Sequence, residues 1–78
     1  MPGKDPETPA EWQRVVNIMS ACLLIDEAIR YDVIVVKKNA PAIDVGRCKS
    51  VLERGRLLGY VPNKDDAMKI ALELLKKF

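Results

Sequence analysis

A chain of 78 residues is long enough for one hydrophobic core and too short for two, so a single domain is expected. Hydrophobic residues make up 49% and charged residues 31%, a balance that excludes a disordered chain, while 13 basic against 11 acidic side chains leave a net charge of +2, too small to imply nucleic acid or an anionic membrane. The absence of histidine excludes His-dependent catalytic triads and most zinc sites.

Residues 1–8 contain Pro2, Gly3 and Pro6 among alternating charges, with nothing to bury, and read as a flexible tail without a secretory signal pattern. Thr8, Pro9 and Glu11 then form a capping box: a threonine N-cap, a proline at the first helical position and a carboxylate three residues on. They predict a helix over 9–30. Winding it at 100° per residue gathers Trp12, Val15, Val16, Ile18, Met19, Cys22, Leu23, Ile25 and Ile29 on an arc of roughly 180°, with Gln13, Asn17, Ser20 and Glu27 opposite. The apolar run 21–25 stops at Asp26 and Glu27, well short of the ~20 residues of a membrane span.

The β-branched run Tyr31-Asp32-Val33-Ile34-Val35-Val36 is poor helix material and good strand material. It predicts an extended segment or β-hairpin over 31–43, with 42–44 as the pairing strand. Asp44 caps a second helix over 44–58, whose inner face carries Val45, Cys48, Val51, Leu52, Gly55 and Leu58. Gly55 costs about 1 kcal/mol there relative to alanine, which points to a close approach by another helix. Gly59 suits a left-handed C-cap. Asn63 caps a third helix over 63–77, with Asp65 and Asp66 in its first turn and Lys76 and Lys77 in its last. Its apolar residues Ala67, Met68, Ile70, Ala71, Leu72, Leu74, Leu75 and Phe78 cover about 200°. The fold class is therefore mainly α: a three-helix domain over 9–78 with a short extended segment between the first two helices.

Cys22 and Cys48 both fall on apolar helix faces. Buried free thiols in a reducing, cytoplasmic setting are expected, with a disulfide between the first two helices as the alternative. General acid–base or nucleophilic catalysis needs a base beside a nucleophile in a cleft, and no such constellation or phosphate-binding glycine loop is present. Neither enzyme activity nor a cofactor or metal is expected.

The candidate partner-binding residues are Trp12, Asp26, Arg30, Val33 and Val35. Trp12 is a core anchor or an interface anchor, with core favoured. Asp26 falls inside the apolar arc, where it either pairs with Arg30 one turn on or meets a polar group of a partner. Tyr31 and Tyr60 are expected to seal the edges of the core. The middle segment, 33–60, is the basic one, with six cationic and two acidic side chains. Lys37, Lys38, Arg47, Lys49, Arg54 and Arg56 are the candidates for contact with an anion or nucleic acid. On the second helix, however, Arg47 and Arg54 flank one edge of the apolar face and Lys49 and Arg56 the other, with Glu53 placed to pair with Lys49 or Arg56.

The order of extended segment, helix, glycine turn and capped helix from Val33 to Phe78, with Leu58-Gly59-Tyr60 ahead of the last helix, resembles the ribbon-helix-helix layout of small dimeric DNA-binding regulators. The resemblance covers about half the chain and implies a dimer whose strands pair across a two-fold axis. Polar residues alternating along the strand, which read the DNA groove in such proteins, are replaced here by an unbroken apolar run at 33–36. The first helix is not part of that pattern. Apolar arcs of roughly 180° and 200° exceed what one small bundle needs to bury. The leading expectation is therefore a non-enzymatic protein-interaction module that self-associates as a dimer or higher oligomer and contacts another protein. A DNA-binding dimer, or a binder of a small anionic ligand between subunits, is the alternative.

Overall fold

A computed structural model of the chain describes residues 6–35, 37 and 42–77. Three helices follow one another: α1 (Pro9–Arg30), α2 (Val45–Leu57) and α3 (Lys64–Leu75). No strand occurs among the described residues.

Thr8 caps α1 with its hydroxyl accepting the Glu11 N–H at 3.2 Å, and Pro9 opens the first turn. The reciprocal bond differs from that of a standard capping box. Glu11 accepts the N–H of Glu7 at 3.1 Å, so the cap reaches into the segment anticipated as a tail, whose residues 1–5 lie outside the described residues.

At its other end α1 closes in a Schellman turn centred on Asp32. Its φ of 58° is left-handed, and the N–H groups of Val33 and Asp32 fold back onto the carbonyls of Ala28 (2.8 Å) and Ile29 (3.1 Å). Residues 31–33 are thus helix cap rather than the start of a strand. The local reason is that aspartate tolerates the left-handed region better than most residues with a Cβ. Of the anticipated hairpin, residues 36 and 38–41 lie outside the described residues, and the flanking parts, 31–35 and 42–44, carry no strand pairing. Ile34 and Ile43 turn back onto the core from either end of this connector.

Asp44 caps α2 by accepting the Arg47 N–H at 3.0 Å, and Asn63 caps α3 by accepting the Asp66 N–H at 3.0 Å. The last helix is shorter than its periodicity suggests, for Lys76 is its C-cap and Lys77 lies beyond it.

Both later helices pack on α1, and the α2 and α3 backbones do not come within 8 Å of each other, Cα to Cα. This explains the breadth of the α1 apolar arc. A helix gripped from two sides buries two stripes, so the width that suggested surplus surface on α1 is largely used within the domain. Against α2, Val16 and Trp12 meet Gly55; a Cβ there would sit 2.6 Å from Val16 Cγ1, which is the close approach the glycine implied. Against α3, Ala21 and Ile25 pack with Ala71 in a cluster extended by Ile29, Ile70, Leu74 and Leu75.

Candidate interaction surface

The surface is organised by the turn between α2 and α3. Gly59, at φ 96°, ends α2 in a second Schellman turn: its own N–H reaches the Arg56 carbonyl (3.0 Å) and that of Tyr60 the Gly55 carbonyl (2.8 Å). The reversal lays Tyr60 flat on Trp12, with ring centroids 5.8 Å apart and planes within 3° of parallel. Trp12 is buried by this contact and serves as a core anchor. Two α1 amides then hold the chain that follows. Gln13 Nε2 donates to the Val61 carbonyl at 2.8 Å, and Asn17 Oδ1 accepts both Gln13 Nε2 at 3.0 Å and the Asn63 N–H at 2.8 Å.

Asn17 is buried, contrary to its assignment to the solvent face of α1. The polar side of the helix is where the α2–α3 connector docks. A buried amide is stable there because its carbonyl accepts two bonds, one of them from a backbone N–H that would otherwise lie unsatisfied at a helix start. The one local signal was the pairing of two amides, Gln13 and Asn17, one turn apart beside the small residues Ser20 and Ala21.

Between the α2 flank and this anchored connector lies an open groove of about 520 Å³, lined by Lys49, Leu52, Glu53, Arg56, Val61 and Pro62. Leu52, Val61 and Pro62 supply apolar wall. Arg56 is clamped to Glu53 by two bonds, Nε to Oε2 at 2.7 Å and Nη2 to Oε1 at 2.8 Å. The guanidinium holds the Glu53 carboxyl below its ordinary pKa and is itself raised by the same contact. Much of the Arg56 charge is thereby answered within the helix. Arg47 and Arg54 are exposed on the opposite flank of α2, so the four α2 cations do not converge on one site. Lys37 is exposed, and Lys38 lies outside the described residues.

The other candidates are dispersed. Asp26 pairs with Arg30 at 3.4 Å, as the intrahelical reading anticipated. Val33 and Val35 are 74% and 97% exposed, pointing outward while Ile34 between them turns in. Tyr31 is 73% exposed and seals nothing, because as the C-cap of α1 it falls on the side of the helix opposite the apolar arc.

The feature missed at the level of sequence is an inversion of size. Both buried residues of α3 are alanines, Ala67 and Ala71, and those of α2 are Cys48 and Gly55. The large apolar side chains Met68 and Leu72 of α3 are 55% and 58% exposed, and Leu57, Leu58 and Val61 around the end of α2 are more exposed still. No protein-family model, curated protein or solved structure matches the chain. Among the described residues no helix is long and apolar enough to cross a membrane.

Proposed function

We propose that the chain is a small protein-interaction module that works by contact rather than catalysis, and that it self-associates through the outer face of α3. The observation that supports this reading is the size inversion: α3 turns its alanines toward α1 and leaves Met68 and Leu72, one helical turn apart, largely in water. Small residues let two helices approach closely. Met68 and Leu72 leave more than half of their surface in water, and covering it would contribute about 1–2 kcal/mol each. A symmetric pair of such faces is the simplest arrangement that covers both copies.

Light scattering across a concentration series tests the proposal. The wild-type chain is expected to exceed its 8.8 kDa monomer mass as concentration rises. Replacing both Met68 and Leu72 by glutamate should weaken association by about 100-fold or more while leaving the circular dichroism spectrum of the helices unchanged. A wild-type chain that stays monomeric at millimolar concentration, or a double variant that associates equally well, rejects this face as the contact.

A further inference from the structure

The α1–α2 interface contains a pair of thiols that lies apart from the proposed contact face. The register of the two helices brings them together. Gly55 lies against Val16 and Cys48 interacts with the Cys22 side chain, so the pairing runs backwards along the two chains and α2 lies antiparallel to α1. Cys48 stands seven residues before Gly55 and Cys22 six residues after Val16, displacements of about 10.5 and 9 Å along the two axes. The two cysteines therefore occupy the same level of the helix pair. Cys48 is buried, Cys22 is half-buried, and neither is in a disulfide. Burial is the main cause raising the Cys48 thiol pKa, and the facing Cys22 side chain raises it further through charge and hydrogen bonding.

We infer that Cys22 and Cys48 form a reversible redox pair, closing to an intramolecular disulfide that staples α2 to α1 when a small-molecule disulfide is in excess. The exchange proceeds in two balanced steps. The more accessible Cys22, as thiolate, attacks one sulfur of the small disulfide; a mixed disulfide forms and one small thiol leaves with the proton Cys22 lost. Cys48 Sγ, once deprotonated, then attacks Cys22 Sγ; the protein S–S bond forms, the mixed disulfide breaks, and the second small thiol departs carrying that proton. Two protein thiols are oxidised and one small disulfide is reduced. The staple would hold α2 in its seat under the Trp12–Tyr60 stack. It lies on α2, apart from the outer face of α3, so it stands whether or not that face self-associates.

The test is equilibration of the full chain in glutathione buffers of increasing oxidised fraction, native and in urea, followed by acid quench, alkylation and mass measurement. Natively, the expected product is a monomer lighter by two hydrogens with both cysteines protected. The equilibrium constant for its formation should be at least about 100-fold greater in the native chain than in the urea-unfolded chain, since only the folded register holds the thiols together. Cys22→Ser and Cys48→Ser controls should yield mixed disulfides alone. Native constants equal to or below the unfolded one overturn the inference, as do two glutathione adducts or disulfide-linked dimers as the main native products.

Discussion

The first two helices end in the same hydrogen-bonded turn, yet the two ends behave differently. After α2, Gly59 takes the left-handed position and the next residue, Tyr60, drops onto Trp12. After α1, Asp32 takes that position and the next residue, Val33, remains 74% exposed. A Schellman turn stops a helix through two backbone bonds, but the direction of the departing chain is set by where the following side chain is buried. The α2 end has both parts. The α1 end has the stop without the anchor at Val33, and its connector regains the core only at Ile34.

Three substitutions would break or sharpen this contrast. The largest effect is expected from Tyr60→Ala, which removes the stacked ring and leaves the α2 turn as unanchored as that of α1. Urea unfolding should show a loss of about 2 kcal/mol, with the tryptophan emission shifted to the red as water reaches Trp12. An unchanged midpoint and spectrum would mean that the stack does not set the return path. Gly59→Ala places a Cβ in the left-handed region with nothing within 4 Å to obstruct it, so the penalty is purely conformational, about 1 kcal/mol. A larger loss would reveal a steric contact at that turn. Asp32→Gly should act with the opposite sign, relieving the φ of 58° and stabilising the chain by about 0.5 kcal/mol, or roughly 2–4 °C in the melting temperature. Destabilisation there would show that the aspartate side chain itself supports the turn.

The helix starts were legible because each is written in a few neighbouring residues. Thr8, Asp44 and Asn63 all accept the backbone N–H three residues on, as their side chains and positions implied. Gly55 was legible for a different reason, since a glycine inside a helix is unfavourable unless something needs the space. The β-branched run begins on residues that α1 still uses: the N–H groups of Asp32 and Val33 complete the helix cap, a local competition that Asp32 decides.

The candidate surface was less legible than the fold. Periodicity identified the apolar residues of α3 but not which of them face α1, because Ala67, Ile70 and Ala71 compete with Met68 and Leu72 for the same arc. Close packing against Ala21 and Ile25 places an alanine, Ala71, at the centre of the contact, with Ile70, Leu74 and Leu75 around it. Likewise Asn17 looked like a solvent residue, since the groups that satisfy it include the Asn63 N–H, 46 residues away.

The mainly helical class, three capped helices and the absence of histidine follow from composition and short-range pattern, where each signal involves atoms a few residues apart. The use of both sides of α1, the docking of the α2–α3 turn on its amides, the facing thiols and the outward Met68 and Leu72 depend on how three helices share one volume. Burial is a property of neighbours distant in the chain, and a helix that is apolar over half its circumference does not announce which half will meet them.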